Sequence, residues 1–203
     1  MIKVLVVGRG WFASEVCRLL TAADNVVVVG GYAPDKSDRL FTTAVSYGLP
    51  CGTGTRLTGL DIPQGTDVIV GANTHAYVDA SARLFTRFGA IAYHPSLLPR
   101  HRGRDSIEWA VRMGDKITGG SVYWMDDGAD TGPIAAQDWC WIRPGDNARE
   151  LWRRDLAPMG LKLLLDVLND LDDGKVVSVS QSDDVASWEP ALTKTPLSTL
   201  TRG

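Results

Sequence analysis

The chain is short of cysteine, of long apolar runs and of basic charge. Its three cysteines, Cys17, Cys51 and Cys140, are far apart and include no C-x-x-C pair. That spacing argues against a disulfide framework and against a zinc site, so no metal is expected and a reducing cytoplasm fits. The longest apolar runs, at 26–31 and 68–71, fall far short of the roughly 20 residues that cross a bilayer, and no membrane span is expected. The opening MIKVLVVG reads as a strand and not as a signal peptide. Lys and Arg number 21 against 24 Asp and Glu, a net charge of -3. Such a balance disfavours nucleic acid as a partner; only RHRGR at 100–104 is locally basic. There is no internal repeat and no low-complexity tract.

What is present is an alternation of short apolar runs with amphipathic stretches. In 203 residues this predicts one α/β domain: a Rossmann-like, mostly parallel twisted sheet with helices on both faces. Residues 2–7, 26–29, 68–70 and 90–93 read as strands, and 12–22, 36–47, 76–88 and 105–113 as helices. Residues 118–124 and 134–142 read as two sheet arms joined by MDDGADTGP. The longest helical stretch is 147–171, opened by Asn147 and Glu150 at capping-box spacing, with Pro158 predicting a kink or break. The domain is expected over 1–175. Residues 176–203, with Pro190 and Pro196, are expected to add a surface strand and a mobile end.

Two early glycines call for restraint. Gly8-Arg9-Gly10-Trp11-Phe12-Ala13 matches G-x-G-x-x-A, the dinucleotide fingerprint, between a strand and a helix. However, the second strand ends GGYAPDK, with no acid directly where a ribose would be held, and Trp11 and Phe12 are bulky beside a pyrophosphate. The preferred reading is a tight turn; any ligand there would be anionic, facing a helix N-terminus.

The stronger constellation joins the loop HPSLLPRHRG at 94–103 to MDDGADTGPI at 125–134. Pro95 and Pro99 restrict the backbone around His94 and Ser96, while Gly128 and Gly132 permit sharp turns around Asp130. A histidine at a strand's carboxyl end and an aspartate on a turn can meet at the sheet edge where α/β proteins bind ligands. An imidazole and a carboxylate suffice for proton transfer.

HPSLLP followed by RG, with D-T-G-P some thirty residues later, resembles the folate-dependent formyltransferase family. Within it, YHPSLLPRHRG, GDK and W-x-D-D-G-x-D-T-G are most similar to the hydrolase domain of 10-formyltetrahydrofolate dehydrogenase. The resemblance covers roughly residues 1–170 and is strongest over 90–134. It implies His94 and Asp130 as catalytic residues, and 10-formyltetrahydrofolate as cosubstrate without a metal. It also implies a pterin pocket from 70–77 and 124–130, with Val70, Gly71, Asn73, Trp124, Asp127 and Gly128 as candidates. Trp11, Ser96, Arg100 and Arg102 are candidate acceptor contacts. Ser96 also reads as a loop residue bonding backbone, and the arginines as a solvated face. Asp126 and Asp127 read as turn residues, His75 and His101 as surface or rim groups, and the tryptophans as mainly core. Trp11 and Trp124 are the two to test for ligand contact.

One departure stands out. The family's transferases usually carry N-x-H, and here Ala92 holds the asparagine position. Alanine offers no side-chain donor to a developing oxyanion, a loss of about 3 kcal/mol or on the order of a hundredfold in rate. The hydrolase domain named above lacks the asparagine too. Asn73 reads first as a cap or turn residue and second as a compensating donor. The leading function is formyl transfer to a small-molecule amine. The alternatives are hydrolysis of 10-formyltetrahydrofolate and a catalytically silent folate-binding module. A homo-oligomer is compatible with all three.

Overall fold

Seven residues of nearly unbroken apolar character, Ile2–Gly8, form β1 at the middle of a seven-stranded sheet. Such a run suits a parallel strand covered on both faces. The computed structural model describes residues 1–192, in which Pro196 is not included. After β1 come α1 (Gly10–Thr21), β2 (Val26–Ala33), α2 (Arg39–Ser46), β3 (Cys51–Thr53) and β4 (Arg56–Leu57). Next are β5 (Val68–Ala72), β6 (Tyr77–Val78), α3 (Ala80–Phe85), β7 (Ala90–His94) and α4 (Ser106–Arg112). β8 (Ile117–Trp124) and β9 (Ile134–Trp141) follow, then α5 (Ala148–Leu151), a π turn (Trp152–Leu156) and α6 (Ala157–Asp172).

The sheet order is β3-β2-β1-β5-β7-β8-β9. β3 to β7 run parallel; β8 and β9 are antiparallel additions. Alternate residues of β1 divide the core. Val4 and Val6 pack with Phe12, Val16 and Leu20 of α1 and Leu164 and Leu168 of α6, whereas Leu5 and Val7 face Val78 and Ala82 on the other side. The fold class is the α/β arrangement that the sequence predicts.

Several local expectations need correction. The helix expected over 76–88 shrinks to α3. Tyr77 and Val78 pair with Arg56 and Leu57 in a small second sheet, and Asp79 then caps the helix through Ala82 N–H at 3.0 Å. Asp38 likewise delays α2 to residue 39 by accepting from Leu40 N–H. The break expected from Pro158 is a π turn immediately before it; widening there relieves the clash between a proline ring and the carbonyl four residues back. The Asn147–Glu150 capping box is present. Residues 175–192 form an irregular strap in place of a strand, touching β9 at one bridge, Ile134 to Val179, and the mobile end expected further on lies outside the described residues. The tryptophans are not core residues: Trp11, Trp139, Trp141 and Trp188 are exposed, and Trp109, Trp124 and Trp152 are half-buried.

Candidate active site

The parallel strands β5 and β7 end side by side, with Ala72 opposite Tyr93 in register. His94 is therefore the last residue of β7, held on its other side by pairing with Ser121 of β8, and is only 7% exposed. Its ring is fixed as well. Nε2 lies 2.7 Å from the carbonyl oxygen of His101, an acceptor only, so the Nε2 proton is committed there. Nδ1 is left facing Asp130 Oδ2 at 3.5 Å.

Asp130 sits in the left-handed region, φ 59°, a conformation that aspartate tolerates better than most residues. Three contacts hold it. Gly103 N–H donates to Oδ2 at 2.8 Å, the Tyr123 hydroxyl donates to Oδ1 at 2.6 Å, and Gln181 of the strap donates to the backbone carbonyl at 2.9 Å. Burial pushes the Tyr123 phenol well above its usual range, and the Asp130 charge adds to that, so the hydroxyl stays a donor. The imidazole and the carboxylate, 36 positions apart in the chain (130 minus 94), thus share one cleft of about 660 Å³.

The loop carrying His94 is anchored from beneath. His101, expected at the surface or rim, is 2% exposed; its Nε2 is 2.9 Å from Asp115 and its Nδ1 is 3.1 Å from Glu189 of the strap. The second approach is close but does not make a hydrogen bond. Ser187 brackets the same loop: its Oγ accepts from His101 N–H, and its own N–H donates to the Pro99 carbonyl. The sequence carried no signal for this, because strap and loop lie some 86 residues apart.

The other expected contacts divide into two groups. Asn73, Gly128 and the His94–Asp130 pair line the cleft, and Trp11 lines an adjoining cavity. Asn73 is left-handed, φ 52°, its amide reaching the Arg9 carbonyl at a long 3.4 Å. The rest are engaged elsewhere. Val70 lies in the core, and Gly71 packs its backbone on Ala92. Trp124 donates to the Val177 carbonyl, and Asp127 pairs with Arg83 in solvent. Ser96 is fully buried and bonds the Arg100 carbonyl at 2.6 Å, as its loop reading predicts. Arg100 pairs with Asp115, and Arg102 bonds Gln181 and Asp183. The cations that do line the cleft are Arg9 and Arg104.

The cleft also holds polar atoms with no partner. Thr74 Oγ1 and His75 Nδ1 are buried and unpaired, and both residues line its wall. Two orphaned groups at one wall leave polar atoms that a ligand could meet. Ala92 lies in the same wall, so the missing carboxamide is absent from the place where the cleft meets β7.

The fold and this pair define an α/β protein with an imidazole and a carboxylate facing each other in a strand-end cleft. Residues 67–168, half of the chain, match the formyl transferase family model, and the chain belongs to that family. It is 35% identical over 201 residues to the mitochondrial 10-formyltetrahydrofolate dehydrogenase of Mus musculus, covering 93% of this chain and 22% of that protein. The chain thus spans about a fifth of the length of such relatives. Among solved structures, a 4-N formyltransferase from Francisella tularensis superposes with a TM-score of 0.77 at 16% identity, over 93% of this chain and 76% of that one. An N-formyltransferase from Helicobacter canadensis, in complex with folinic acid and dTDP-3-aminofucose, gives 0.72 at 17%, over 93% and 71%.

Proposed function

We propose that the chain moves the formyl group of 10-formyltetrahydrofolate to the amine of a small molecule, with His94 and Asp130 as its catalytic residues. The observation that carries this reading is the ring of His94, whose one committed proton leaves Nδ1 free beside Asp130. Protonated at Nδ1, the imidazole faces the formyl oxygen and stabilises the negative charge that grows there, with Asp130 stabilising the cation in turn. Asp130 then accepts the proton that the attacking amine sheds, and the ring delivers one to the departing N10. Asn73 supplies the carboxamide that Ala92 cannot, from the neighbouring strand end. Thr74 and His75 meet the pterin, and Arg9 and Arg104 the carboxylates of the folate tail. A cytoplasmic setting, where thiols stay reduced, suits the three free cysteines.

A second reading, hydrolysis of the same formyl donor, is favoured by Ala92: a weakened oxyanion site and a water nucleophile both answer to it. Incubation with 10-formyltetrahydrofolate, with and without amines, decides between them. Amine-dependent release supports transfer, amine-independent release supports hydrolysis, and tight binding without release leaves a silent folate-binding module.

A further inference from the structure

Next to the cleft lies a second cavity of about 390 Å³ that shares Asn73, Tyr93, Pro95, Asp105 and Ser106 with it. Aromatic rings make its walls. Phe12 stands 5.5 Å from Tyr93 and 5.1 Å from Trp152, centroid to centroid, and Trp11 closes the side with 45% of its surface exposed. The charged groups lining it, among the described residues, are Asp105 and Glu108, both acidic.

At the adjoining turn the amide that would greet an anion is already taken. Gly10 N–H, the first of α1, already donates to both oxygens of Asp38, at 3.1 and 3.0 Å. A phosphate at that amide would meet a resident carboxylate, and the cavity itself is lined by two more, while the cations Arg9 and Arg104 line the neighbouring cleft. A protonated amine is drawn in by the same carboxylates and by the aromatic faces.

We propose that this cavity seats the formyl acceptor and selects a primary amine on an aromatic or apolar body, free of phosphate. The inference rests on the transfer reading and names its substrate class. Asp105 and Glu108 attract the ammonium form at the rim. The ammonium gives one proton to solvent, the neutral amine bonds to the formyl carbon, the bond from that carbon to N10 breaks, and the second proton lost by the amine balances the one gained by N10.

A matched pair of probes tests it: 2-phenylethylamine and 2-aminoethyl phosphate, equal in their aminoethyl arm and opposite in what it carries. With 10-formyltetrahydrofolate present, mass spectrometry is expected to show N-formyl-phenylethylamine forming at least about tenfold faster than the phosphate product, a preference of roughly 1.4 kcal/mol. Equal or reversed rates overturn the proposal. Without folate, phenylethylamine is expected to change the tryptophan fluorescence saturably, with about tenfold weaker binding in the exposed-site variant Trp11→Ala. Glu108→Lys is expected to narrow or reverse the preference between the two amines; an unchanged ranking in both variants overturns it. The two readings separate cleanly. Trp11-dependent binding without formylation upholds the cavity and defeats amine transfer, whereas preferred formylation of the phosphate-bearing probe defeats the cavity and upholds transfer.

Discussion

Two turns sit at the same edge of the sheet, one after β1 and one after β7, and they use their polar groups differently. In the Gly8–Ala13 turn, the first helical N–H is satisfied by Asp38, and Gly8 is pressed so closely to β5 that an added Cβ would lie 1.9 Å from the Ala72 carbonyl oxygen. In the loop after β7, backbone and strap hold one side of His94 and leave the side that faces Asp130 open, and the neighbouring wall leaves Thr74 and His75 unpaired. Buried polar groups are nearly always partnered inside a protein. A strand-end turn whose leading amide is matched internally is therefore read as architecture, and one that leaves partners missing as a place for a ligand.

That contrast is easiest to break at its catalytic end. His94→Ala is expected to lower formyl release from 10-formyltetrahydrofolate about a thousandfold in single-turnover assays. Asp130→Asn, chosen because asparagine tolerates the left-handed backbone, is expected to do nearly as much; unchanged turnover in either removes that residue from the mechanism. The β1 turn is expected to respond in stability. Gly8→Ala forces its new methyl into the Ala72 carbonyl, a cost of about 3 kcal/mol in urea unfolding, and a midpoint equal to that of the parent would show that the turn yields.

The two turns were also unequally legible. The G-x-G-x-x-A pattern is met by any tight strand-to-helix turn, and only Asp38, two elements away, tells which kind this one is. His94 and Asp130 could be read because prolines and glycines mark stiff and sharp backbone at both. Their supports could not. Tyr123 looks like any strand tyrosine, Gly103 contributes only an amide, and Gln181 and Glu189 arrive from a strap with no periodicity to announce it. Arg100 and Arg102 misled for the converse reason: a basic run suggests a ligand, but internal carboxylates and an amide claim both guanidinium groups. The fold class, by contrast, follows from apolar runs alternating with amphipathic stretches, whereas the order of the strands comes only from the structure.

Smaller effects sharpen the comparison. Tyr123→Phe leaves Asp130 with one fewer donor and is expected to cost about tenfold in formyl release, measured as kcat. The same residue has a pH signature. Tyr123 and Tyr93 are buried phenols, both pushed upward from 10.0 by desolvation. A group with a raised folded pKa contributes stability that is intact below its unfolded value and lost as pH rises beyond it. The urea midpoint of the parent is therefore expected to fall above pH 10, and Tyr123→Phe to flatten that fall; identical alkaline profiles would place the loss elsewhere.

The smallest change belongs to Asp38, which bonds the amides of two helices at once. Asp38→Ala removes the cap of α2 and the partner of Gly10 N–H, and is expected to lower stability by about 1 kcal/mol. Its value lies in what it uncovers. With the carboxylate gone, the start of α1 regains a free donor and loses a negative charge, the two changes that favour an anion at a helix N-terminus. Inorganic phosphate should then raise the melting temperature of the variant more than that of the parent. An equal response would mean that bulk around Trp11 and Phe12, and not the resident carboxylate, closes the turn.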